Sequence, residues 1–322
     1  MKVVVLGASS PQDVPGIETI ADQVELVFAP DEASLGDELP GSEVLLGWNF
    51  KGDEVIHQWN HAQDLKWIHW CGAGVDAVLF DDLRNSEVIL TNAGGIFDRA
   101  MAEYVLGYML IETKGFMTAR KDQDEHAWNP RPVVKLQGDS VLVFGSGSIG
   151  REMAHLLKSV GLKVSGVGRR EREDDPDFDR VYASSDIDTV LPHSDWVVGV
   201  LPSTTATARY FDAAFFGKMN NAARFINLGR GNAVVEADLL HALEGNVIAG
   251  AMLDVFNTEP MATDDPLWDA PNLLVSPHIS GDYQGYDEDL VKLFIDNLDR
   301  YLSDRPLPGM VDKALGFVPS RS

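Results

Sequence analysis

The chain has 322 residues, long for one hydrophobic core and comfortable for two. Its 50 acidic residues against 26 Lys and Arg give a net charge of -24, spread along the chain, which excludes a nucleic-acid surface because phosphates would be repelled. No apolar run approaches the ~18 residues of a membrane span, and one cysteine, Cys71, allows neither an intrachain disulfide nor a thiolate metal cage.

The opening "MKVVVLGASSPQD" is too short in its apolar part for a secretory signal and reads as a first strand, so a soluble cytoplasmic protein with no membrane partner is expected. Short apolar runs follow at 2–8, 24–29, 43–49, 66–72 and 88–92, bounded by turn residues. They are continuous rather than alternating, the pattern of strands covered on both faces of a parallel α/β sheet. Residues 99–115 predict a helix, and the polar stretch 120–132, "RKDQDEHAWNPRP", predicts a linker or arm. The alternation restarts at "SVLVFG" (140–145) and recurs at "KVSGVG", "DWVVGVL", "ARFINLG", "VIAGAML" and "NLLVSPH". From Asp287 onward, Leu290, Leu293, Phe294, Leu298 and Leu302 are spaced for one face of a helix. His57 and His61 stand four apart, but no HExxH string or third ligand accompanies them, so they read as surface or packing histidines and no metal is expected. Cys71 reads as a small buried hydrophobe.

In "VLVFGSGSIG", Gly145, Gly147 and Gly150 directly follow a strand, and a helix follows with Ile149, Met153, Leu156, Leu157 and Val160 on one face. This is the context of a dinucleotide-binding turn. The first glycine permits a tight turn, the second a close approach to pyrophosphate, and the third close helix packing, with Ser148 and Ile149 opening the helix whose N-terminus favours anions. The next strand should end in an acid that accepts from the adenosine 2′-hydroxyl of NAD(H). Here Gly168 stands in its place, leaving room, and Arg169 and Arg170 follow. Arginine suits a 2′-phosphate, through bidentate bonds from a permanent charge. NADP(H) is therefore the expected cofactor, with NAD(H) possible. Ion pairs of the two arginines with Glu171, Glu173 and Asp174 are the competing explanation.

Downstream, Arg230, then Asp254 and Glu259, then His278 each stand just past a strand. Strand C-termini of a doubly wound sheet converge on the ligand crevice, so an arginine, carboxylates and a histidine are expected there together.

With these residues the chain resembles the D-2-hydroxyacid dehydrogenase family. The resemblance runs through "CGAGVD" (71–76), "RAMAEYVLGYML", the glycine turn, "LPSTTATARYF" (201–211), "NLGRGNAVVEADLL", "LDVFNTEP", "SPHISG" and "FIDNLDRYLSDRPLPGMVD". It implies an α/β fold of two Rossmann-like domains. Residues 1–99 and 288–322 would form a flavodoxin-like substrate domain, and 100–287 a doubly wound dinucleotide-binding domain, with a hinge whose closure excludes water. It further implies roles. His278 is the acid that protonates the carbonyl oxygen, Glu259 fixes its tautomer, and Arg230 binds the 2-keto acid's carboxylate and carbonyl. Asp254 takes the nicotinamide carboxamide, Pro202 and Thr207 line the cofactor, and the N–H groups of Ala73, Gly74 and Val75 bind the substrate carboxylate. The helix at 99–115 and the arm after it resemble the family's dimerisation element, so a homodimer is expected. The missing ribose acid resembles the family's NADP-using glyoxylate and hydroxypyruvate reductases.

The reading is thus an NADPH-dependent reductase of small 2-keto acids. A narrow glyoxylate/hydroxypyruvate reductase, an NAD(P)-sensing regulatory protein on the same scaffold and, more weakly, formate oxidation are the alternatives. Trp48, Asn49 and Phe50, just past a strand, are candidates to shape the side-chain pocket.

The charge balance carries its own expectation. Dispersed acids repel one another in the folded state, and salt screens that repulsion. A salt-adapted protein therefore melts at a higher temperature as KCl rises, which thermal denaturation across a KCl series measures. A midpoint indifferent to KCl contradicts salt adaptation.

Overall fold

The uninterrupted apolar runs become parallel strands whose residues are shielded on both faces. The structure, a computed structural model, describes residues 1–319. The last three residues of the 288–322 segment lie outside the described residues. The chain forms two units, Met1–Phe97 with the segment from Tyr283 onward, and Asp98–Asp282.

In the first unit, β1 (Lys2–Leu6), β2 (Glu25–Ala29), β3 (Val44–Gly47), β4 (Trp67–Trp70) and β5 (Ile89–Asn92) pair in the order β2-β1-β3-β4-β5, all parallel. This is the flavodoxin-like order. Val3, Val4, Val5, Leu45 and Ile68 are fully buried. β1 stops short of its apolar run because Gly7 turns the chain at φ +87. The helix Tyr286–Leu302 buries Leu290, Phe294 and Leu298, with Phe294 stacked on Trp67 at 5.6 Å. Leu302, expected on the same face, closes the helix and is exposed.

In the second unit, β6 (Ser140–Phe144), β7 (Lys163–Gly168), β8 (Val181–Ala183), β9 (Trp196–Gly199), β10 (Arg224–Asn227), β11 (Gly250–Leu253) and β12 (Leu273–Val275) are again all parallel. Their order is β12-β11-β10-β9-β6-β7-β8. Strand order reverses at β6, between β7 and β9, and the crevice beyond that switch point is where such sheets bind ligands. β8, only three residues at the sheet edge, was not anticipated. The expected helix is present as Asp98–Lys114. The polar stretch after it is not simply a linker: a second helix, Phe116–Asp124, covers its first part. Gly115 breaks the two helices apart at φ +62. Pairs Arg120–Asp124 and Lys121–Glu125, each four residues apart, support a helix with no apolar stripe. Among the described residues no helix is long and apolar enough to cross a membrane.

His57 Nδ1 lies 3.1 Å from Glu32 Oε2, whose carboxylate raises the imidazole's pKa, and His61 is exposed. His69, on β4, is different. Its ring is fully buried, with Nδ1 2.8 Å from Thr91 Oγ1, which also accepts from Trp67 Nε1 at 2.9 Å. Burial pushes the imidazole down to about 3, so it is neutral in the fold. A folded pKa below the unfolded ~6.5 means that the stability tied to the neutral ring is whole above pH 6.5 and is lost as pH falls toward 3. His69→Gln, which cannot titrate, should lose a few kcal/mol less than the parent between pH 6.5 and 4, read from denaturant melts at each pH. Parallel acid profiles would show that His69 does not drive the loss.

Candidate active site

The glycine turn sits at the C-terminal end of β6. Gly145 has φ +120, and a Cβ there would stand 2.7 Å from the Val200 carbonyl oxygen. A Cβ on Gly150 would stand 1.9 Å from the Gly145 carbonyl oxygen, so only glycine lets the helix Ser148–Ser159 pack this close. At Gly147 a Cβ meets nothing within 4 Å. The first helical bond runs from Arg151 N–H to the Gly147 carbonyl at 3.0 Å, which leaves the N–H groups of Ser148, Ile149 and Gly150 at the helix mouth. Two crowded glycines shape the turn and the third faces open space, so the cradle fits a dinucleotide pyrophosphate.

β7 ends at Gly168, where a Cβ would stand 3.0 Å from Ser146 Oγ and 3.3 Å from Val181 Cγ1, the ends of two side chains. Arg169 and Arg170 follow, both exposed. Glu171 and Glu173 pair with Arg180, whose guanidinium lies 5.0 Å over the Tyr182 ring. After β9, Thr207 donates to the Pro202 carbonyl at 2.6 Å and accepts from Thr204 N–H at 3.0 Å, so these two residues brace one loop.

Arg230 follows β10 between two glycines. A Cβ on Gly229 would stand 2.7 Å from Leu201 backbone atoms, and one on Gly231 2.0 Å from the Phe256 carbonyl. The loop is thus wedged between the loops that follow β9 and β11. Asn227 accepts from Gly229 N–H at 3.3 Å and donates to the Arg230 carbonyl at 3.0 Å. Arg230 itself is half-buried, and Nη1 donates to the Gly229 carbonyl at 2.9 Å.

Glu259 and His278 meet. Glu259 Oε1 accepts from Phe256 N–H at 2.8 Å, and Oε2 lies 2.6 Å from His278 Nδ1. His278 stands in the left-handed region at φ +53, a strained choice for this residue. The loop carrying it hangs on Asp254, which is fully buried. Asp254 Oδ1 accepts from Ser276 Oγ at 2.6 Å and Ile279 N–H at 3.0 Å, and Oδ2 from Ser280 N–H at 2.9 Å. Neither Ser276 nor Asn227 was singled out in the sequence, where hydroxyls and amides beside strand ends carry no signal of their own. The arrangement can donate a proton from the imidazole nitrogen that Glu259 leaves free.

In the first unit, the loop after β4 carries Ala73, Gly74 and Val75. Asn92 Nδ2 fixes it by donating to the Ala73 carbonyl at 2.6 Å. Phe50 lies beside this loop, 3.1 Å from where a Gly72 Cβ would be. Asn49 instead donates to Glu54 at 2.8 Å.

Comparison with known proteins shows the family and the fold. Residues 106–280 match the family profile "D-isomer specific 2-hydroxyacid dehydrogenase, NAD binding domain". Glyoxylate/hydroxypyruvate reductase A of Salmonella choleraesuis is 29% identical over 262 residues, 79% of this chain and 82% of that protein. A D-isomer specific 2-hydroxyacid dehydrogenase family protein from Aeromonas salmonicida superposes with a TM-score of 0.84 at 32% identity, covering 97% of this chain and 99% of that one. The NADPH-dependent glyoxylate/hydroxypyruvate reductase of Sinorhizobium meliloti, solved with NADP and sulfate, gives a TM-score of 0.85 at 30% identity, with 98% and 99% covered.

The three bonds to Asp254 make the histidine loop the vulnerable part of this site. In Asp254→Asn, the amide in place of Oδ2 faces the Ser280 N–H, donor against donor, at a cost of ~1–3 kcal/mol. Thermal denaturation should show the lower midpoint. An unchanged midpoint would mean that Asp254 does not anchor the loop.

Proposed function

The chain belongs to the D-isomer specific 2-hydroxyacid dehydrogenase family, and we propose that it reduces small 2-keto acids to D-2-hydroxy acids with NADPH. It is an NAD(P)-dependent oxidoreductase acting on CH–OH groups. The observation that carries the reading is the His278–Glu259 pair at 2.6 Å on a loop buttressed by Asp254.

A bound nicotinamide supplies the hydride that the carbonyl carbon takes. His278 gives the carbonyl oxygen its proton from Nε2, because Glu259 keeps a proton on Nδ1 and so turns the other nitrogen to the substrate. Arg230 binds the carboxylate and polarises the carbonyl as negative charge grows on its oxygen. The N–H groups of Ala73, Gly74 and Val75 take the substrate carboxylate, and Phe50 limits the side chain. Asp254 holds the histidine loop, and its full burial under those three donors does not favour the direct contact with a nicotinamide carboxamide that the resemblance implied. Gly145, Gly147, Ser148, Ile149 and Gly150 form the pyrophosphate cradle, and Pro202 and Thr207 line its far side. The unit Asp98–Asp282 is the cofactor domain, and the unit containing β1–β5 the substrate domain.

Arg169 and Arg170 hold the 2′-phosphate. The nearby acids Glu171 and Glu173 pair with Arg180. Glyoxylate and hydroxypyruvate are the favoured substrates, in keeping with the names of the Salmonella and Sinorhizobium relatives. A homodimer accounts for Phe116, Met117, Val133, Val134 and the 94%-exposed Trp128, which stand bare along one arm of the second unit.

Nicotinamide oxidation in KCl with glyoxylate or hydroxypyruvate, NADPH and NADH side by side, tests the proposal. NADPH should be preferred, Arg169→Ala with Arg170→Ala should lose that preference, and His278→Ala should lower kcat by ~10²–10⁴. Equal use of NADH would remove the role of the arginines. Tight nucleotide binding without turnover on any 2-keto acid would favour a cofactor-sensing protein.

A further inference from the structure

The acids that follow the arginine pair form a built structure of their own. The Asp175 side chain is 1% exposed, in a loop whose Glu171, Glu173 and Asp174 are exposed. Its Oδ1 and Oδ2 accept from Arg151 Nη1 and Nη2 at 2.9 and 3.1 Å, a bidentate pair. Oδ2 also accepts from Arg172 Nε at 2.8 Å, and Oδ1 from the N–H groups of Asp177 and Phe178 at 3.1 and 3.3 Å. Arg151 reaches Asp177 as well, at 2.6 Å, and lies 6.0 Å over the Phe178 ring. Burial by itself would raise the Asp175 carboxyl, but these five donors hold it well below the usual carboxylate range, so it is charged at neutral pH.

The two ends of this link matter. Arg151 directly follows Gly150 in the first turn of the helix Ser148–Ser159, the element assigned to the pyrophosphate. Arg172 lies two residues past Arg170 and bridges Val181, the first residue of β8. Asp175 therefore joins the arginine loop to the phosphate helix. It also occupies the cations Arg151 and Arg172, as Arg180 occupies Glu171 and Glu173.

We propose that Asp175 is a positioning residue for cofactor selection: by tying the Arg169–Arg170 loop to the pyrophosphate helix, it sets the spacing at which a 2′-phosphate is recognised. This inference rests on the NADPH reading above. In Asp175→Asn the neutral amide no longer compensates two guanidinium groups, one of its atoms becomes a donor facing donors, and the loop loosens while the glycine cradle keeps its own geometry.

Calorimetric binding of 2′,5′-ADP and of 5′-ADP to the full chain separates the two ideas. If the parent binds both equally, the NADPH reading fails and this inference fails with it. If the parent prefers 2′,5′-ADP, Asp175→Asn should bind 2′,5′-ADP about tenfold more weakly and 5′-ADP within twofold of the parent. The NADPH/NADH ratio of kcat/KM should fall with it, while kcat at saturating NADH stays. Should Asp175→Asn fail to fold, Arg172→Gln cuts the link at its exposed side and should shift the same ratio in the same direction. A preference unchanged in the folded variant, or an equal loss for both nucleotides, overturns the assignment.

Discussion

Backbone pressed against backbone is the constraint on which the second unit depends. Gly150 touches the Gly145 carbonyl, Gly145 the Val200 carbonyl, Gly229 the Leu201 backbone and Gly231 the Phe256 carbonyl. The first closes the turn after β6 on its own helix, and the other three each join loops that follow different strands of one sheet. No side chain larger than hydrogen fits at these points, so the loops after β6, β9, β10 and β11 are locked to one another. The chemistry-bearing side chains sit directly on this locked frame. Arg230 projects between two of its glycines, and Asp254 and Glu259 leave the loop that one of them abuts.

On that frame the carboxylates work as anchors. Asp254 gathers the serine hydroxyl and two N–H groups of the histidine loop, and Glu259 fixes the imidazole. Asp175 does the same for the arginine loop. Asp254 and the Asp175 side chain, buried and each held by several donors, are stiff points in their loops. The rest of the -24 charge is dispersed over the surface and has a separate consequence, in the response of the fold to salt.

The legible parts of the sequence were those whose signal is local. Strands buried on both faces read as unbroken apolar runs, and the glycine turn is recognisable because strand, glycines and helix are contiguous. β8 escaped notice because three residues between charged neighbours carry no periodicity. The helix Phe116–Asp124 escaped it because its support comes from ion pairs rather than an apolar stripe. The Glu259–His278 contact spans 19 residues, and the Arg151–Asp175 pair 24. The former was reached through family resemblance, and the latter had no signal beyond a run of acids.

The central claim is hydride transfer to a 2-keto acid with protonation by His278. It is tested most directly by incubating hydroxypyruvate with NADPH deuterated at the transferable C4 position and analysing the product by NMR and chiral chromatography. The account predicts glycerate of the D configuration with one deuterium at C2. Deuterium lost to solvent, an L product, or nucleotide bound without any label transferred would contradict it.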